Sequence, residues 1–179
     1  MAAKIILSNQ IDYNLTRDSI ALQTSKKRDI ENYQIRELST YEINLLDIYP
    51  KKYPSLKFKG LATPIYNCHG FVFASRRTNI SDSQAIRNIL SDDEYISVSV
   101  AEVMVGDIVL YVDPQKGDIE HTAMIVQVEG DGVHSIRSIR VLSKWGKYKE
   151  VVHFINECED FRHCRLEYWR NNHGYIREK

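Results

Sequence analysis

The chain has 179 residues, enough to bury the core of one domain and short for two. Lys plus Arg number 24 and Asp plus Glu number 24, so no net field draws the molecule to a phosphate backbone or an anionic membrane, and nucleic acid is not an expected partner. The longest apolar stretches, 108–112 and 122–128, fall far short of the roughly 20 residues that cross a bilayer, and three cysteines, an odd number, argue against a disulfide framework and for a reducing compartment.

Residues 1–7 carry one lysine and a brief apolar run that breaks at Ser8-Asn9-Gln10, which is not the pattern of a secretory signal. The expected location is cytoplasmic, with any export by a non-classical route. There is no repeat or Gly/Ser linker, and Pro50, Pro54, Pro64 and Pro114 mark turns, so one domain over 1–179 is expected. Ser39-Thr40-Tyr41-Glu42 is a capping-box pattern ahead of Ile43, Leu45, Leu46 and Ile48, and predicts a helix over 40–49 stopped by Pro50. Tyr66-Asn67-Cys68-His69-Gly70 followed by Phe71, Val72, Phe73 and Ala74 predicts a loop opening onto a buried helix. That helix starts at Cys68 and ends near Arg76 or Arg77. A further helix over 81–90, capped by Ser81 or Asp82, places Ala85, Ile86, Ile89 and Leu90 on one face.

Downstream the pattern becomes that of strands. Gly106-Asp107 opens a strand over 108–112, a turn follows at 114–117, and 120–128 forms the next strand. Gly130-Asp131-Gly132 is a hairpin signal returning the chain through 133–142, where Ile136, Ile139 and Val141 are apolar, and a strand near 149–154 continues the sheet. Helices first and antiparallel strands second predict an α+β domain with N-terminal helices packed on an antiparallel sheet.

Two residues stand out chemically. A thiol becomes a nucleophile as thiolate, and the start of a helix together with a nearby imidazole favours that form. Cys68 meets the first condition, although a lone cysteine is more often a small buried hydrophobe. His121 opens an apolar strand, where an imidazole can face a helix start, although a lone histidine there is more often a hydrogen-bonded edge residue. Cys158, His163 and Cys164, even with His153, lack the spacing of a zinc set. The tail around Tyr168, Trp169, Arg170 and Tyr175 reads as a docked terminal segment rather than a base-stacking surface.

The order of Tyr66-Asn67-Cys68-His69-Gly70-Phe71, then Val105-Gly106-Asp107-Ile108-Val109-Leu110-Tyr111, then His121-Thr122-Ala123-Met124-Ile125-Val126 resembles the NlpC-type and CHAP-type branch of the papain-like cysteine peptidases and amidases. In that family a cysteine begins a helix, a Gly-Asp strand follows and a histidine opens the next strand. The resemblance spans about residues 60–155 and implies a papain-like core and acyl transfer. In this reading Cys68 attacks an amide carbonyl, His121 moves the proton, Asn67 fixes the loop, and backbone N–H groups at the helix start bind the oxyanion. The family's usual orienting Asn, Glu, Gln or His is not evident after the histidine strand. Ser143 is nearest by position and His153 is the better chemical candidate. Ser143-Lys144-Trp145-Gly146 resembles an element of a less characterised subset of the superfamily, with Trp145 either a core residue or a substrate-lining one. His69 is expected to point another way along the helix and ranks second.

The resemblance thus implies a thiol hydrolase of a peptide, isopeptide or peptidoglycan stem-peptide bond. Its substrate would be a peptide, a protein or a peptidoglycan fragment, and a protein partner or inhibitor is compatible with it. It needs no cofactor, metal, nucleic acid or membrane. The alternative is a non-catalytic binding module on the same fold.

Overall fold

The computed structural model describes residues 18–129 and 138–172. Along them run α1 (Thr40–Lys52), β1 (Lys57–Lys59), α2 (Cys68–Phe73), α3 (Ser83–Asp92), β2 (Tyr95–Val98), β3 (Ile108–Val112), β4 (Ile119–Val128), β5 (Ile139–Lys144), β6 (Glu150–Phe154) and β7 (Arg165–Asn171). The strands form one antiparallel sheet in the order β1-β6-β5-β4-β3-β7-β2, so the fold is α+β. No described helix is long and apolar enough to cross a membrane.

The helix over 40–52 starts where its capping box requires. The Ser39 hydroxyl accepts from the Glu42 N–H, and the Glu42 carboxylate accepts from the Ser39 N–H. Pro50 does not stop it, contrary to the expectation. A proline inside a helix leaves the carbonyl four residues earlier without its donor, and here the Tyr148 hydroxyl donates to that carbonyl, Leu46 O, at 3.1 Å. A side chain from the β5–β6 turn therefore substitutes for the missing backbone bond, and the helix continues to Lys52.

The cysteine helix is shorter than expected and ends at Phe73, because Ser75 and Arg76 take the left-handed region at φ 48° and 65°. Gly70, in its first turn, lies against the returning chain; a Cβ there would come within 1.7 Å of the Thr78 carbonyl oxygen. Asp82 caps α3 by accepting from Gln84 N and Ala85 N, and the four expected apolar residues are buried. Gly130 to Gly132, and Ile136 with them, lie outside the described residues.

β3 is an interior strand buried along its whole length, so alternate residues serve two different cores. Val109 and Tyr111 join Ala123, Ile125, Val141, Val151 and the α1 residue Tyr49 on one face. Ile108, Leu110 and Val112 join Ile86, Ile89 and Leu90 of α3 on the other, where Val72 and Phe73 of α2 also pack.

Three strands are not signalled by the sequence pattern: β1, β2 and β7. The tail expected as a docked segment is β7, inserted between β3 and β2, with Tyr168 opposite Val109 and Trp169 opposite Ile108. Asp107, only 1% exposed, explains that insertion. Its carboxylate accepts from Arg170 Nε and Nη2, both at 2.8 Å, and from the Met104 N–H at 2.8 Å. The Gly-Asp motif thus fastens β7 to the start of β3 through a bidentate, hydrogen-bonded ion pair.

Candidate active site

Five consecutive residues, 63–67, lead into Cys68, and donors or acceptors from elsewhere in the chain hold each of them. Lys144 Nζ donates to Thr63 O at 3.0 Å. Asn79 Nδ2 donates to Pro64 O at 3.0 Å and Ile65 O at 2.9 Å. The Tyr66 hydroxyl donates to Glu150 Oε1 at 2.9 Å. Asn67, 4% exposed, is the helix cap: its side-chain oxygen accepts from Gly70 N at 2.9 Å and Ile80 N at 3.2 Å, while Nδ2 donates to Ile80 O at 2.6 Å. A loop so tethered presents its last residue in a fixed orientation. Asn67 therefore occupies the loop-fixing position expected of it.

Cys68 is the first residue of α2, which packs on β4 and β5. Burial alone would raise its thiol. The charges of the His69 and His121 imidazoles, with the bonds those rings offer the sulfur, outweigh burial and hold the thiol well below its ordinary value. Both imidazoles therefore act on the thiol, including that of His69, for which the sequence reading expected another direction along the helix. His69 Nδ1 lies 3.2 Å from the Thr122 hydroxyl, and the ring also bonds the Ile119 backbone. Burial disfavours a charged His69, yet the Cys68 thiolate and the Ile119 contact raise its pKa above the usual value.

Different neighbours hold the two histidines. Thr122 and His121 are neighbours on a strand and so project to opposite faces. His121 stacks on Phe161 with centroids 4.5 Å apart and planes within 9°, beside Tyr111 at 5.3 Å. A register shift where Tyr111 and Val112 pair with the start of β4 lies next to His121, at the kind of irregularity that re-aims side chains. His121 Nε2 is buried and has no hydrogen-bond partner among the described residues.

His153 and Ser143 sit on the same sheet, and each is fully buried. They bond one another, Ser143 Oγ to His153 Nε2 at 2.9 Å, while His153 Nδ1 lies 2.7 Å from Phe154 O. A carbonyl only accepts, so Nδ1 carries the proton and Nε2 accepts from the serine. Burial, then the charge of His121, lower His153 to about 4, against the Phe154 bond that pulls it up. Both of its nitrogens are thus used, and no hydrogen bond between it and His121 occurs among the described residues. Trp145, 2% exposed, is enclosed by Tyr49, Tyr53, Phe58 and His153 and packs in the core.

Sequence reasoning misses three contributors. Thr122 reads only as part of an apolar strand, although its hydroxyl holds His69. Glu150, which binds Tyr66 and Arg76, falls inside a segment that reads as a plain strand. Lys144 takes no role of its own within its tetrapeptide, yet its side chain is wholly buried, a rare state for lysine. No signal in single-sequence periodicity gives these residues a place at the site. Cys158 and Cys164 are pushed up by burial to about 12 and about 11, the reverse of Cys68. Comparison with protein-family models, curated proteins and solved structures found no match.

Proposed function

We propose that the chain is a thiol hydrolase of the NlpC-like or CHAP-like, papain-fold kind, cleaving an amide bond through a Cys68 acyl-enzyme. The observation that carries the reading is the thiol itself: a buried cysteine at a helix start, flanked by two imidazoles and titrating well below an ordinary thiol. A structural cysteine in that degree of burial shifts the other way, as Cys158 does.

The assignment of roles follows from which nitrogens are free. His69 is engaged by Thr122 and the Ile119 backbone, and its raised pKa favours the imidazolium that steadies the thiolate. His121 keeps one nitrogen without a partner among the described residues and is the better proton carrier. The thiolate attacks the amide carbonyl carbon and forms a tetrahedral oxyanion beside the backbone N–H groups of the first turn of α2. The imidazolium of His121 delivers its proton to the leaving amine as the C–N bond breaks. Water, deprotonated by His121, then attacks the thioester and releases the acid and the free thiol. A peptide, an isopeptide and a peptidoglycan stem peptide all present the required amide.

One observation favours the alternative of a non-catalytic binding module: the bonds of His153 are spent on Ser143 and Phe154, leaving His121 without an orienting side chain among the described residues. The experiment that decides is iodoacetamide alkylation followed by peptide mass mapping. The hydrolase reading expects Cys68 to be modified well below pH 8 and before Cys158 or Cys164, and expects Cys68→Ala to fold and to lack all hydrolysis. Unreactive Cys68 at pH 7, or turnover surviving in Cys68→Ala, sinks it.

A further inference from the structure

A buried lysine whose ammonium group has only carbonyl partners is costly unless its charge or its donors are used, since the charged form loses its hydration. Lys144 ends β5 with 0% exposure. All three of its protons have acceptors: Thr63 O at 3.0 Å, Gly146 O at 3.0 Å and Tyr148 O at 2.5 Å. Two of these close the β5–β6 turn, and the third belongs to the loop that delivers Cys68. The ammonium also sits 5.1 Å from the centroid of the Tyr66 ring, in the same loop, within range of a cation–π contact. This one side chain therefore ties the nucleophile's loop to the β5–β6 turn.

From this geometry we infer that Lys144 is a positioning residue of the Cys68 site: its ammonium pins the loop at Thr63 and supplies the positive charge from β5 that complements the Cys68 thiolate. The inference rests on the proposed nucleophilic role of Cys68. The groups facing Lys144 are Glu150 on β6, Cys68 on α2 and Glu42 on α1, and those facing Cys68 are His69 on α2 and His121 on β4. Burial lowers Lys144 to about 7, and the charges of Glu150, Cys68 and Glu42 pull it back up, so its charge depends in part on the thiolate. The dependence is reciprocal, as any coupling between two titrating sites must be.

Two variants separate the donors from the charge. Lys144→Met removes both, and Lys144→Gln keeps amide donors near the carbonyls without the charge. In folded protein, verified by a cooperative thermal transition, both should move the midpoint of Cys68 alkylation against pH upward by roughly 0.3–1 pH unit, a loss of about 2- to 10-fold in rate at any pH below the parent's midpoint. Hydrolysis should lose kcat with little change in KM. A lysine that merely fills space leaves the alkylation midpoint where it was, and an unchanged midpoint in either folded variant overturns the inference. Should neither variant fold, the same coupling is read in the unaltered lysine: with 13Cε-labelled lysine, the titration midpoint of Lys144 should fall in Cys68→Ala relative to the parent protein. Equal midpoints refute it. A parent protein in which Cys68 resists alkylation below pH 8 refutes the hydrolase reading instead, so the two failures are distinct.

Discussion

Replacing Asn67 with alanine tests how the nucleophile is held. The substitution removes three bonds from a side chain that is 4% exposed: those from Gly70 N and Ile80 N to its oxygen, and that from its amide to Ile80 O. Loss of the cap costs about 1 kcal/mol. The Ile80 N–H and C=O, left buried and unpaired, add about 1–3 kcal/mol each. The sum, ~3–7 kcal/mol, is a large part of the ~5–15 kcal/mol that holds a typical domain. At about 2–4 °C per kcal/mol for a chain of this size, Tm should drop by roughly 6–28 °C in a circular-dichroism melt. Asn67→Asp sharpens the test. The carboxylate keeps both accepted bonds but sets an oxygen against Ile80 O where the amide donated and buries a charge, so its Tm loss should be no smaller than that of Asn67→Ala. It also places a negative charge beside the thiol. That charge should raise the alkylation midpoint of Cys68, and each pH unit of rise slows the reaction about tenfold at any pH below the parent's midpoint. If Asn67→Ala melts within about 1 °C of the parent, or Asn67→Asp alkylates with unchanged pH dependence, the loop is not held by this residue and the account of its tethering is wrong.

His121→Gln should abolish hydrolysis, and His69→Gln should retain part of it while raising the Cys68 alkylation midpoint; the reverse pattern in a kinetic assay would exchange the roles of the two histidines. His153 titrates at about 4 in the fold and near 6.5 in an unfolded chain, so between those values the unfolded state binds more protons. Stability is unaffected by it above pH 6.5 and falls as pH drops from about 6.5 to about 4, by ~3 kcal/mol at most; urea titrations of parent and His153→Gln at pH 7 and pH 4.5 should show the larger loss in the parent. Tyr148→Phe removes the donor to Leu46 O and should cost about 1 kcal/mol, a Tm decrease of roughly 2–4 °C, whereas a change below 0.5 °C, measured to about that precision, leaves the passage of α1 through Pro50 unexplained. Gly70→Ala drives a Cβ into the Thr78 carbonyl and should cost at least the ~3 kcal/mol upper end of ordinary overpacking, so a parent-like melt contradicts the packing of α2 against residue 78.

Local physical signals carried much of this architecture in the sequence alone. The Ser39–Glu42 box, the Asp82 cap and the 3.6-residue spacing of Ala85, Ile86, Ile89 and Leu90 act within a few residues, and α1 and α3 begin where these signals place them. The start of α2 at Cys68 and the strands β3, β4 and β6 were legible for the same reason, since caps, turns and apolar runs need no distant partner to be recognised. What escaped depended on partners far along the chain. Pro50 reads as a stop until Tyr148, 98 positions later, is found bonding the carbonyl that the proline leaves bare. β7 reads as a tail until the buried carboxylate of Asp107 meets Arg170 across 63 positions. At the site, the sequence named Cys68 and His121 through their places at a helix start and a strand start. Only the tertiary structure decided that His69 is held by Thr122 and acts on the thiol, that His153 spends its bonds on Ser143 and Phe154, and that Lys144 lies wholly buried beneath the loop of the nucleophile. Those outcomes follow from which faces a sheet brings together and how much water they exclude, and burial and charge at a given residue are properties of the assembled neighbours rather than of the residues beside it in the chain.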